Sequence, residues 1–318
     1  MIFAAQLKAS AHMTRRQLVL MGTAAAVTLI SGSSALAESV VSSSITKRHY
    51  VDGRFGQIHV HIARPQDEDS GALKTPLMCF HPTPYSGNYY KDFISEMGRD
   101  RIAMAMDTPG YGKSDRPPEP QLMEQLAGVA ADALDALGYG AGGDGPVDVL
   151  GYHTGCFIAA ELAILRSDLV RRLVQVGVPF DQGGERRAAY EENFKPTVIQ
   201  ENGSHLDSKW EFAVTNRQLG VTLERAAEHY ADSLLAAPHS TWAYHAVFLY
   251  DVEAQYPKIT QPVVILNTHG GLKEKSRAVM PYLKDVRIVE IPELHHGVFD
   301  LGVEILARES RTFLDTDL

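Results

Sequence analysis

Gly151-Tyr152-His153-Thr154-Gly155 stands between Pro146-Val147-Asp148-Val149-Leu150, which reads as a buried strand, and Thr154 to Ser167, which reads as a helix with small residues in its first turn. A strand, a sharp turn and a helix, with glycines beside the apex where larger side chains would collide, form the frame of the nucleophile elbow Gly-x-Ser-x-Gly. Histidine occupies the serine position. The frame therefore speaks for a fold, and the substitution leaves the chemistry to be argued separately.

Working outward, the chain opens from Lys47 with two alternating runs around an Asp52-Gly53 turn, the second being Gln57-Ile58-His59-Val60-His61-Ile62. This is the pattern of an antiparallel hairpin, and it puts His59 and His61 on one strand face, expected to look toward solvent. Apolar strands then alternate with helical patterns: Pro76 to Phe80, Arg101 to Met106, Val147 to Leu150, Leu173 to Val178, Val263 to Leu266 and Val286 to Ile291. Such alternation predicts an α/β domain with a mostly parallel sheet covered on both faces. The charged, helical stretch from about Gln182 to Ser240 interrupts it and predicts a helical lid over the strand ends. Trp210, Trp242, Tyr244 and Phe248 are expected to form lid core or to line a pocket beneath it.

Residues 1–37 carry Arg15-Arg16 ahead of an apolar run, Val19 to Ile30, that ends in Ala35-Leu36-Ala37. They are expected to be a twin-arginine export signal, with the run too short to favour a permanent membrane span, so the domain would begin at Glu38 and act in the periplasm or outside the cell. Without Lys8, Arg15 and Arg16 the chain keeps 27 basic against 39 acidic residues, a formal charge of −12. That balance argues against a nucleic-acid partner. Cys79 and Cys156 are expected as small core residues, not as a disulfide.

Four ordered segments extend the comparison. His81-Pro82-Thr83-Pro84 follows the third strand; Asp107-Thr108-Pro109-Gly110-Tyr111-Gly112-Lys113-Ser114-Asp115 follows the fourth; the elbow ends the fifth; and Leu294-His295-His296 follows the eighth. With these segments, and with the opening Tyr50 to Gln57, the chain resembles the α/β-hydrolase superfamily over nearly its whole length after the leader. The resemblance implies an α/β-hydrolase fold with an eight-stranded, mostly parallel sheet, helices on both faces and a lid at about 182–240. It also implies His296 as the base, the backbone N–H groups of Thr83 and Thr154 as an oxyanion hole, and a pocket touching His81, Tyr152 and His269. Asp107 and Ser114 would pin their loop.

Two departures from the family pattern bear on the acid and the nucleophile. The loop Asn267 to Leu272, where the family often supplies its triad acid, holds no carboxylate, and Asp181 at the end of the sixth strand is placed to supply one or simply to cap the next helix. His153 reads in three ways: as a nucleophile attacking an ester or lactone carbonyl, as a base activating water or a substrate proton, or as a relic in a binding protein. A further reading has a metal held by His81, His153, His269 and His296, but no short His-x-x-x-His spacing supports it, and no metal or organic cofactor is expected. The sequence thus leads to hydrolysis of a small ester, lactone or similar carbonyl compound through His153 and His296. A non-catalytic small-molecule binder and a cofactor-free lyase or C–C hydrolase remain the alternatives.

Overall fold

The computed structural model describes residues 43–67 and 72–316. The expected export signal at 1–37 and the start of the domain at 38 lie outside the described residues.

The hairpin forms from β1 (Ser44–Gly53) and β2 (Gly56–Pro65), which pair with Gly53 opposite Gly56. Its turn is Arg54-Phe55, just beyond the Asp52-Gly53 expected from sequence, because the ladder runs on to the glycines. β3 (Lys74–Phe80), β4 (Arg101–Met106), β5 (Val147–Tyr152), β6 (Val170–Val176), β7 (Val263–Thr268) and β8 (Val286–Ile291) complete an eight-stranded sheet in the order β1-β2-β4-β3-β5-β6-β7-β8. Only the β1–β2 and β2–β4 pairs are antiparallel.

β6 starts three residues before the expected Leu173. Arg171 and Arg172 mask its beginning in the sequence. In the fold Arg171 binds the buried Asp148 of β5 at 2.7 and 2.9 Å, while Arg172 donates to the carbonyls of Phe313 and Leu314. Those carbonyls close the last helix, where a cation is favoured. Burial drives Asp148 up to about 6, with Arg171 opposing.

Helices follow the strands in chain order: α1 (Lys91–Met97), α2 (Met123–Ala136), α3 (Thr154–Leu165), α4 (Gly183–Asn193), α5 (Ser204–Trp210), α6 (Leu223–Leu235), α7 (Trp242–Leu249), α8 (Val252–Gln255), α9 (Lys273–Ala278), α10 (Val298–Leu301) and α11 (Val303–Leu314). The pleat of β3 decides what each face holds. Met78 and Phe80 enter one core with Leu126 and Val129 of α2 and Phe157 and Ile158 of α3, and Leu77 and Cys79 enter the other with Phe93 and Ile94 of α1 and Phe313 of α11. Full burial of each such large side chain contributes about 1.5–3 kcal/mol. Cys79 and Cys156 are buried free thiols. Among the described residues no helix is long and apolar enough to cross a membrane.

Helices α4 to α8 lie between β6 and β7. Trp210 packs edge-on against Tyr230, and Trp242 lies on His239.

Candidate active site at the elbow

The parallel strands point their carboxyl ends at one edge, and chain direction across the sheet reverses between β3 and β5, the position where open α/β sheets bind ligands. Thr83, after β3, and Thr154, after β5, face each other there with their Oγ1 atoms 2.9 Å apart. This contact brings together the two residues whose N–H groups were expected to hold an oxyanion.

His153 sits at the apex with φ 50° and ψ −115°, and is the one described non-glycine residue with positive φ. A conformation of this kind costs about 1–3 kcal/mol and persists where the surroundings impose it. Here the His153 N–H donates to Val176 at 3.2 Å, its carbonyl accepts from the Cys156 N–H at 2.9 Å, and the Cys156 thiol donates to Gly151 and Val176. The imidazole lies 4.1 Å from the Tyr152 ring, centroid to centroid. Desolvation, with the charge of His296 adding to it, pushes its pKa down to about 4.

The ring is therefore neutral through the physiological range. Unfolded, it takes up a proton near the ordinary imidazole value of about 6.5. Its contribution to stability is consequently present above that value and lost as pH falls through the folded value near 4. Denaturant titrations should show the wild type losing more stability between pH 7 and 4.5 than His153→Gln does. Equal losses would mean that the ring is not desolvated.

His296 is exposed and lines a cavity of about 320 Å³ that also touches Tyr85, Tyr89, Phe212, His229 and Asp300. His295 turns the other way, its Nδ1 bonding the His269 carbonyl at 3.0 Å. No hydrogen bond joins His153 to His296 among the described residues; their coupling is through charge.

Asp181 pairs with Lys275 of α9. Tyr152 is buried, stacked on Tyr89 at 5.8 Å, and packs under the cavity without lining it. His81 is buried with both nitrogens engaged: the Thr108 N–H donates to Nε2 at 2.9 Å, so Nδ1 carries the hydrogen and donates to the Pro82 carbonyl at 3.0 Å. Burial lowers its pKa, and the ring ties the loops after β3 and β4 together. His269 approaches Glu290 of β8 at 3.1 Å. Arg277 first, with Asn267 and His269, holds that carboxyl down at about 2. Both nitrogens of His81 are thus engaged, which leaves it none for a metal shared with His153, His269 and His296.

The hairpin histidines differ from expectation. His59 is 1% exposed, and its Nδ1 bonds Asp107 at 2.9 Å. Its strand lies beside β4, so the face expected to meet solvent is covered by the loop that Asp107 and Ser114 pin.

Two residues that the sequence did not single out complete the cavity wall. His229 of α6 bonds Asp300 of α10 at 3.0 and 3.1 Å, and Arg225 binds the same carboxylate at 2.7 Å. Against the effect of burial, these two hold Asp300 below the usual carboxylate range. The available signal was the spacing of Asp300 from His296, four residues on across Gly297. Of the four aromatic lid residues, Tyr244 lines a second cavity of about 260 Å³, which shares Tyr85 and Phe212 with the first, and Phe248 lines another of about 440 Å³ beside α4.

An eight-stranded sheet with an elbow at its reversal point and helices over its carboxyl edge is the α/β-hydrolase fold. The chain belongs to the Alpha/beta hydrolase family, whose model matches residues 77–308. An enol-lactonase from Burkholderia xenovorans LB400 superposes with a TM-score of 0.63 at 16% identity, over 84% of this chain and 100% of that one. An esterase from Exiguobacterium antarcticum gives 0.64 at 20% identity, over 85% and 100%. Polyketide synthase ThaQ of Burkholderia thailandensis is 24% identical over 245 residues, which is 73% of this chain. The chain spans only 11% of the length of that relative.

Proposed function

We propose that this protein hydrolyses a small ester, lactone or similar carbonyl compound bound beneath α4 to α8, with His153 as nucleophile or base and His296 as its acid/base partner. The observation that carries this reading is the strained apex. A residue held at φ 50° and ψ −115° presents its side chain as a nucleophile elbow requires, and that strain has to be offset by the rest of the fold. Supporting it are a ring neutral at working pH, the Thr83–Thr154 contact at the strand reversal, and a cavity large enough for a small molecule. Thr83 and Thr154 would offer their N–H groups to the developing oxyanion. Asp181, paired with Lys275, would have to exchange partners to serve as a triad acid.

One observation favours a second reading, a small-molecule binder without turnover: His153 is absent from the lining of the cavity that reaches His296. The two separate on small p-nitrophenyl esters and lactones, assayed alongside a fluorophosphonate. The expected result is turnover by wild-type protein with no fluorophosphonate adduct between residues 150 and 156, a segment that contains no serine. Saturable binding of such ligands with no turnover would support the binder, and a turnover-blocking adduct on Ser114 or another serine would move the catalytic centre.

A further inference from the structure

On the other side of α6 a second cluster sits in a cavity of about 310 Å³ that the proposed chemistry does not use. Its walls include His59, His61, Ser86, Asp107, Lys113 and Asp232. The spacing His59-x-His61 sends both imidazoles to one face of β2. Asp107 leaves the end of β4, the neighbouring strand, and its N–H donates to the His59 carbonyl at 2.9 Å. One ligand atom from each of the three side chains lies within 4.8 Å of the others. We propose that His59, His61 and Asp107 form a binding site for a divalent transition-metal ion of the zinc type.

Three features support the site. First, the donor set is two imidazoles and one carboxylate, a combination that suits zinc and its first-row neighbours. Metal–ligand bonds of about 2.0–2.2 Å put tetrahedral ligand atoms about 3.3 Å apart, so the present spacing has to close by about 1.5 Å at most, with the half-buried His61 side chain the freest to move. Second, His59 is fully enclosed, yet its Nε2 has no hydrogen-bond partner. An imidazole buried with one nitrogen unsatisfied calls for an explanation, and a metal on Nε2 supplies one, with Nδ1 left to donate to Asp107. Third, Asp107 is anchored from behind: the Gly87 N–H donates to Oδ1 at 2.7 Å and the Lys113 N–H to Oδ2 at 2.8 Å. His61 Nε2 stands 4.0 Å from Oδ1 and keeps partial access to solvent, which gives the ion a way in.

The test is equilibrium dialysis of the untagged protein against Zn²⁺ and Co²⁺, with His61→Ala and His61→Gln beside wild type. One equivalent should bind to wild type, and either variant should weaken binding by at least about 100-fold, since loss of an outer partner alone costs about 10–100-fold. His153→Ala and His269→Ala should bind as wild type does. In wild-type protein, Zn²⁺ should also protect His61 from diethyl pyrocarbonate, read by mass spectrometry, which needs no variant to fold. No stoichiometric binding at micromolar metal, binding undiminished without His61, or binding lost with His153 would each overturn the proposal.

Discussion

Replacing His153 with alanine is expected to lower kcat for an activated ester by about 10²–10⁴-fold, the range that positioned acid/base groups contribute, with a small change in KM. His296→Ala should fall in the same range. If the two imidazoles serve one proton-transfer sequence, the double variant should be scarcely slower than either single one, because catalytic partners are strongly non-additive. Multiplying losses would show that they act independently. His295→Ala is the internal control: its ring bonds the His269 carbonyl and should not affect turnover beyond a few-fold. Retained activity in His296→Ala with loss in His295→Ala would exchange their roles. All these variants should remain folded, since His295 and His296 are exposed and His153 is only half-buried.

What the sequence made legible was whatever local chemistry dictates. Apolar runs located every strand from β3 to β8, and the two glycines around His153 located the elbow. β6 began early because its first turn outward is Arg171-Arg172, and arginines enter a strand interior only when partners such as Asp148 and the end of α11 receive them. That pairing joins residues 23 and about 141 apart, a separation that no local pattern encodes. The same limit explains His59. Alternation correctly put it on a face with His61, but which face is covered depends on the β2–β4 pairing and on Asp107, far along the chain. The cavity wall was the least legible part, because His229 and Asp300 meet across 71 positions and each looks locally like an ordinary helix residue.

Gly155→Ala should be among the most damaging single changes in this protein. In an ordinary helix the substitution gains about 1 kcal/mol, since alanine loses less backbone freedom than glycine. Here a Cβ on residue 155 would lie 1.8 Å from the Phe80 carbonyl oxygen and 2.5 Å from its carbon. Both atoms belong to the backbone of β3, which is fixed between β4 and β5, so no side-chain rotation relieves the clash. Either α3 moves away from the sheet, opening the core around Phe157 and Ile158, or β3 shifts and separates Thr83 from Thr154. Overpacking of a well-filled core costs about 1–3 kcal/mol and more when backbone must move, so a loss of about 4 kcal/mol or failure to fold is expected. Gly271→Ala offers the contrast, because nothing lies within 4 Å of the added carbon, and its effect should stay within about 0.5 kcal/mol. Urea unfolding of the two variants beside wild type measures the difference, and equal midpoints would mean that α3 does not approach β3 as closely as the elbow geometry demands.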